Sequence, residues 1–344
     1  MSSGRTLTIA LFHDHSGWTL EERFVDRLRA GAGPGVEIRR ATNSTQFAEM
    51  LPGTTHLLGL PASEDQVVAA APPAGSLRWI QLAQSIGDAT PATIAALRAG
   101  IEVCAADTVR APAIAEHTLA LLGAITRRIG ASIGAQSEHR WASAELARSA
   151  RLISSMTIGV IAVGAVARSV VSILRGLGAT VQWAEPTGAH PFLGPGDAHP
   201  DGGGAPLADV LAHCDAVIVA CPRIPSTIGL LGKVEFARIR RGAIVIDVTG
   251  GGVVSEAALL DALRRDRVSA AAIDGFEREP LAVGSPWWTM PNVIVTPRLS
   301  GASAHYWDRA TDWFADNIRR ALREEPCLDR LPAAWVEDAA PARR

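Results

Sequence analysis

The hexapeptide Ala162-Val163-Gly164-Ala165-Val166-Ala167, followed about twenty residues later by Glu185, has residue types and a spacing that prescribe a chemistry. An apolar run, Ile158–Val163, leads into the turn, and a helical pattern, Ala167–Leu177, leads out of it. A strand that turns sharply into a helix aims backbone amides at the helix N-terminus, where a pyrophosphate can be held. The turn is a G-x-G-x-x-G frame that keeps its middle glycine, Gly164, which lets backbone approach phosphate. Alanine is an accepted variant at the third position, Ala167. At the first, Ala162, a methyl group stands where a tight turn prefers none. Gly164, Ala165 and Val166 are thus candidate phosphate contacts. Glu185 ends the next strand, where a carboxylate accepts from both ribose hydroxyls and repels a 2′-phosphate. No Lys or Arg occurs between Gly176 and Pro222 to offset that repulsion. The pattern reads as a site for NAD(H), favoured over NADP(H). The plainer alternatives are a βα turn with one glycine and a solvated strand-end glutamate.

A second block is denser. The chain reads Ile-Val-Ile-Asp-Val-Thr-Gly-Gly-Gly-Val-Val-Ser-Glu from Ile244 to Glu256 and Asp-Gly-Phe-Glu-Arg-Glu-Pro-Leu from Asp274 to Leu281. Thr-Pro-Arg-Leu-Ser-Gly follows from Thr296 to Gly301. This block resembles the D-isomer-specific 2-hydroxyacid dehydrogenase family, whose pattern is V-A-R-G, then D-V-F-x-x-E-P, then T-P-H-x-x-G. The resemblance runs from about Leu77 to Pro326 and puts the family's arginine on Gly250, its glutamate on Glu279 and its histidine on Arg298. It implies that Asp274 holds the nicotinamide carboxamide and that Cys221, Pro222 and Thr227 form a loop over the cofactor. It also implies that Val248, Thr249 and Gly250 lie beside the nicotinamide, with Arg298 and Gly301 completing the cofactor site. The loop Gln84–Asp88 would bind a substrate carboxylate through backbone near Ile86 and Gly87.

Reducing a 2-oxo acid takes a cation to clamp the carboxylate, an acid to protonate the forming alkoxide and a positioned hydride. Gly250 has no side chain, so the clamp is missing from its usual place. Arg298 cannot donate a proton, because a guanidinium stays protonated at physiological pH. It can stabilise an alkoxide electrostatically or bind a carboxylate bidentately. Glu279 and Arg298 are therefore the candidate catalytic pair, with Arg298 also a candidate substrate clamp. A structural salt bridge is the competing account of the same two residues. Proton donors to consider are Glu279, His305 or a water; His305 reads first as a helix-surface residue. His117, in Ile114-Ala115-Glu116-His117, reads as a packing or capping histidine. Two functions fit: an oxidoreductase with a rebuilt active site and a non-standard 2-oxo/2-hydroxy acid or ketone substrate, or a catalytically silent NAD(H)-binding sensor or assembly protein.

The elements that must position these residues alternate. Strand patterns fall at Leu7–Phe12, Val36–Arg40, His56–Leu60, Trp79–Leu82 and Ile101–Cys104, with helical stretches such as Thr19–Ala30 and Pro91–Ala99 between them. A second series has strands at Ile158–Val163, Thr180–Ala184, Ala216–Ala220, Ala243–Val248, Ala270–Ile273 and Val293–Thr296, with helices at Ala208–His213 and Glu256–Arg264. Pro186–Pro206 reads as a Gly/Pro-rich loop. Such alternation specifies parallel sheets with crossovers. The expected architecture is α/β, two doubly wound parallel-sheet domains. A Rossmann NAD-binding domain (105–301) is inserted into a flavodoxin-like substrate domain (1–104 plus 302–344). A single helix from Pro112 to Trp141 would link the two and, by the resemblance, form a homodimer interface. The last helix, about Ala302–Leu322, should pack on the first domain.

Bulk properties set outer limits. A chain of 344 residues suits two domains, and 48% hydrophobic with 20% charged residues is an ordinary globular composition. A net charge of −2 gives no attraction to nucleic acid or to a membrane surface. The lone lysine, Lys233, leaves almost no candidate for Schiff-base or P-loop chemistry. Cys104, Cys214, Cys221 and Cys327 form no C-x-x-C pair, so no zinc or redox motif is expected, and they read as small buried hydrophobes. No signal peptide or apolar span of ~18 residues is apparent, which points to a cytoplasmic protein. The expected partner is a small-molecule substrate.

Overall fold

The computed structural model describes residues 4–14, 16–60, 63–83, 90–184, 186, 204–224 and 226–332. Ile86, Gly87 and Glu185 lie outside the described residues, as do most of the Pro186–Pro206 stretch and the Pro341–Arg344 end.

The chain divides into two compact units, Met1–Val109 with Ser303–Arg344, and Arg110–Ala302. In the first, five parallel strands lie in the order Val36–Ala41, Arg5–Ala10, His56–Gly59, Trp79–Gln81, Glu102–Cys104. Numbered along the chain this is 2-1-3-4-5, the flavodoxin-like order. Its core joins Leu7, Ile9 and Leu58 of the sheet to Phe24 and Leu28 of the helix Glu22–Ala32 and to Phe314 and Ile318 of the helix Tyr306–Leu322. The last helix is locked to the sheet by Asn317. Its Nδ2 donates to Gln81 Oε1 at 2.8 Å and to the Leu328 carbonyl at 3.0 Å, while its Oδ1 accepts from Leu328 N at 2.8 Å.

The second unit holds six parallel strands in the order Val293–Thr296, Val268–Asp274, Ala243–Asp247, Ala216–Ala220, Thr157–Ala162, Thr180–Ala184. The alternation of side chains across a strand divides its core into two faces. Ile158, Val160, Ile218, Ile244 and Ile246 face one cluster; Ile161, Val217, Val219 and Val245 face the other. Both faces are covered, which is why these strands are apolar throughout rather than alternating. The helix Gly164–Gly176 packs on the first face through Val166, Ala167, Val170, Val171 and Leu174, a stripe at helical spacing. The strand order reverses between Thr157–Ala162 and Ala216–Ala220. In open α/β sheets, ligands bind beyond the carboxyl ends of the strands at such a switch.

The expected single helix from Pro112 to Trp141 is corrected. The helix runs Asp107–Thr126, with Pro112 inside it; Ile129–Ser137 and Ser143–Ala147 follow as separate helices. Arg128, at φ 60°, breaks the run. The early start is secured from far along the chain: Asp329 accepts from Thr108 N at 2.7 Å and Thr108 Oγ1 at 2.8 Å, covering a donor of the first turn. The final helix begins at Tyr306 rather than near Ala302.

Candidate active site

The carboxyl ends of the strands in the second unit bring most of the described candidate residues together. Gly164 opens the helix Gly164–Gly176 at φ +60°, a conformation that L side chains rarely adopt. An added Cβ there would meet nothing within 4 Å, so open space lies over the helix N-terminus at the point where a phosphate would approach. Ala162 is fully buried, and its carbonyl accepts the indole N–H of Trp183 at 2.7 Å. The next strand thus braces the turn at the position where alanine replaces glycine.

The opposite lip is the loop after Ala216–Ala220. Thr227 staples it internally: Ile224 N donates to its Oγ1 at 2.9 Å, and its hydroxyl lies 2.5 Å from the Pro222 carbonyl. Thr227 is fully buried, so its hydroxyl serves the shape of the loop. Cys221 is buried as well, and burial, reinforced by the nearby charge of Asp247, pushes its thiol far above the usual range. A thiol held that firmly protonated is not a nucleophile.

Asp274 ends the strand Val268–Asp274 and is 1% exposed. Its Oδ1 accepts from Thr296 Oγ1 at 2.6 Å and Leu299 N at 2.7 Å, and its Oδ2 from Ser300 N at 2.8 Å. A carboxylate offers about four acceptor positions, so these bonds leave room for one more donor. His117 joins the network, with Nε2 3.2 Å from Thr296 Oγ1 and 3.7 Å from Asp274 Oδ1. Neither Thr296 nor this role of His117 was expected from sequence, because the contacts join segments far apart in the chain.

Arg298 and Glu279 form an ion pair. Arg298 Nε donates to Glu279 Oε2 at 2.7 Å, and Arg298 Nη2 donates to the Gly250 carbonyl at 2.7 Å. The other oxygen of Glu279 accepts from Phe276 N at 2.9 Å. Both carboxylate oxygens therefore face donors. Arg298 itself has φ +58° and Gly250 φ +82°. A Cβ on Gly250 would fall 2.7 Å from Arg298 Nη1, so the arginine side chain fills the space that a side chain at 250 would enter. Because the side chains of Arg298 and Glu279 are 43% and 34% exposed, solvent screening keeps the pair's contribution small. Glu279→Gln, which keeps an acceptor for Phe276 N, should lower unfolding free energy by less than about 1 kcal/mol in urea titrations. A loss above about 2 kcal/mol would show that the pair carries the local fold.

Two further residues were missed. Asp247, at the end of the strand Ala243–Asp247, is 3% exposed, and its Oδ1 accepts from Thr249 N at 2.9 Å and Thr249 Oγ1 at 2.7 Å. Burial raises its pKa to about 6, against the pull of the Thr249 bonds. A carboxylate closing an apolar run, Ile-Val-Ile-Asp, was the available signal. Arg110 lies against Gly301, whose missing side chain makes room for the guanidinium. His305, by contrast, is 84% exposed and 3.6 Å from Asp308, a surface pair at the start of the final helix.

Comparison with known proteins places this geometry. The sequence profile of the D-isomer specific 2-hydroxyacid dehydrogenase NAD binding domain matches residues 119–300. D-3-phosphoglycerate dehydrogenase of Mycobacterium bovis is 35% identical over 232 residues, covering 67% of this chain and 42% of the relative. The Mycobacterium leprae enzyme of the same name is 32% identical over 301 residues, covering 86% and 55%. The chain thus spans about half the length of these curated relatives. A crystal structure of a D-isomer specific 2-hydroxyacid dehydrogenase from Xanthobacter autotrophicus Py2, in complex with NADPH and MES, superposes with a TM-score of 0.75. It is 26% identical, covering 96% of this chain and 99% of that one. The chain belongs to the D-isomer specific 2-hydroxyacid dehydrogenase family and carries that family's NAD-binding domain. Among the described residues, no helix is long and apolar enough to cross a membrane.

Proposed function

We propose that the protein is an oxidoreductase that uses NAD(H) in preference to NADP(H), and that its substrate is not one of the simple 2-oxo acids served by an arginine clamp and a histidine acid. The observation that carries this reading is Arg298. It stands where the family pattern has histidine, bound to Glu279 and to the Gly250 carbonyl. It offers a fixed positive charge and does not act as a proton donor at neutral pH.

The dinucleotide fits the residues present. The space over Gly164 accepts a phosphate oxygen, and Asp274 keeps acceptor capacity for a carboxamide N–H. The cofactor, when bound, supplies the hydride. The chain's part is to seat it, to hold the substrate carbonyl over it, and to place the Arg298 charge where negative charge develops. The preference for NAD(H) rests on Glu185 and on the lack of Lys or Arg between Gly176 and Pro222. The Xanthobacter relative was solved with NADPH, so this preference is one of the points to be tested. A homodimer belongs to the same reading: Ile133 and Trp141, in the stretch that the family resemblance assigns to an interface, are 61% and 91% exposed.

The second reading, a silent NAD(H)-binding protein, is favoured by the same ion pair, since both oxygens of Glu279 are engaged. Fluorescence titration with NADH and NADPH, followed by a screen of NADH oxidation against 2-oxo acids and bulkier ketones, separates the two. NADH should bind more tightly than NADPH. Gly164→Val should weaken it by roughly tenfold, because a β-branched side chain at positive φ costs about 1–2 kcal/mol and occupies the phosphate space. Turnover of a bulkier ketone supports the enzyme; tight binding with no turnover on any substrate supports the silent protein. Failure to bind either nucleotide sinks both.

A further inference from the structure

Outside the dinucleotide-binding unit, one cluster of metal-ligating side chains stands out. Glu102 and Cys104 lie two residues apart on the edge strand of the five-stranded sheet, and so on one face of it. Cys327 comes to them from the segment after the final helix. One carboxylate oxygen and the two sulfurs all lie within 4.8 Å of one another, the separation at which three ligands can share one ion.

The cluster is built rather than incidental. The segment bearing Cys327 is held at Leu328 by both ends of the Asn317 amide, and it continues along the edge strand through Ala105 N to the Asp329 carbonyl at 2.9 Å and Leu331 N to the Val103 carbonyl at 2.8 Å. Cys104 is fully buried and Cys327 partly so. Two polar atoms here are buried without a hydrogen-bond partner, Glu102 Oε1 and the indole nitrogen of Trp79. Trp79 is 3% exposed. An orphaned carboxylate oxygen is costly in a protein interior unless something completes it.

We propose that Glu102, Cys104 and Cys327 form a binding site for a thiophilic divalent cation of the zinc class. Two thiolates and a carboxylate suit such an ion, with a fourth, tetrahedral position for water. The charges close: two thiolates, one carboxylate and a dication leave one negative charge, and Arg330, whose Nε is 3.7 Å from Glu102 Oε2, offsets it. Binding releases the two thiol protons. Glu102 also lines a cavity of about 810 Å³ with His56 and Trp79. The ligands are too far apart in sequence to make a C-x-x-C motif, so spacing alone does not reveal them.

The test uses the full chain, reduced and stripped of metal with a chelator, then titrated with zinc chloride against a chromophoric chelator. One equivalent should bind with release of protons and protect two thiols from alkylation. Cobalt(II) in its place should give a sulfur-to-cobalt charge-transfer band with tetrahedral d–d bands. Cys327→Ser and Glu102→Gln, at the two partly exposed ligands, should each weaken zinc binding by on the order of 100-fold or more. Nucleotide binding should stay unchanged in both. The proposal is overturned by the absence of stoichiometric binding, by parental zinc affinity in both variants, or by a cobalt complex without a sulfur band. A Cys104–Cys327 disulfide that persists in the zinc-loaded protein overturns it as well.

Discussion

Gly250→Arg combined with Arg298→His should reduce simple 2-oxo acids at least about 100-fold faster than the parent chain, whereas Gly250→Arg alone should give no gain and a less stable protein. The asymmetry follows from the contact between the two positions. A side chain on Gly250 starts 2.7 Å from Arg298 Nη1, and Gly250 has φ +82°. The single variant must therefore push one guanidinium against another while paying about 1–2 kcal/mol for a left-handed residue. Histidine at 298 removes the clash and the like charge together. It tolerates the φ of +58° found there better than most residues do. Its ring would inherit Glu279, whose Oε2 now accepts from Arg298. An acid/base group is worth about 10²–10⁴-fold, and an electrostatic anchor for developing charge about 10²–10³-fold. The two act as a unit, so the stated gain is well below their product. The check is steady-state NADH oxidation with several 2-oxo acids on variants shown to fold and to bind NADH. A double variant that binds NADH normally yet gains nothing would mean that the substrate side has diverged beyond these two residues.

That experiment bears on positions that local sequence could nominate. The strand patterns located every strand of both parallel sheets, and those of the six-stranded sheet are largely apolar because both faces are covered. The dinucleotide-turn pattern nominated Gly164, and the family frame nominated Asp274, Glu279 and Arg298. Those residues sit at strand ends and in turns, where sequence neighbours largely determine geometry. What was illegible came from long-range contacts. Nothing near Asp107 announces that Asp329 will cap its helix, so the helix start was placed at Pro112 instead. Nothing near His117 announces Thr296. The break at Arg128 depends on a left-handed conformation that arginine does not advertise. The Glu279–Arg298 contact was open between catalysis and a salt bridge. The geometry shows an ion pair.

Asp247 is the position where burial alone yields a sharp expectation. Its carboxyl titrates at about 6 in the folded chain against an ordinary 3.8, because burial disfavours the charged form. Below pH 3.8 it is protonated in folded and unfolded chains alike and costs nothing. Between pH 3.8 and about 6 the unfolded chain ionises first, so the folded state loses ground as pH rises. Above about pH 6 both states are ionised and the penalty is present in full. At about 1.36 kcal/mol per pH unit, the rise to about 6 corresponds to about 3 kcal/mol. Asp247→Asn retains an Oδ1 acceptor for both Thr249 donors and removes the charge. The variant should therefore be more stable than the parent at pH 8 by up to about 3 kcal/mol, less whatever its new amide hydrogens lose by burial. The advantage should shrink through pH 6 to 4 and vanish near pH 4. Urea unfolding at pH 4, 6 and 8 reads this directly. A variant equally destabilised at all three values would show that the carboxylate is compensated by its surroundings and that burial is not the dominant influence. A carboxylate that costs the fold about 3 kcal/mol at neutral pH, placed directly beneath Thr249, is a candidate for function rather than structure. If Asp247→Asn gains stability and loses NADH affinity together, the charge is kept for the cofactor's sake; if affinity is untouched, its cost serves no role at that site.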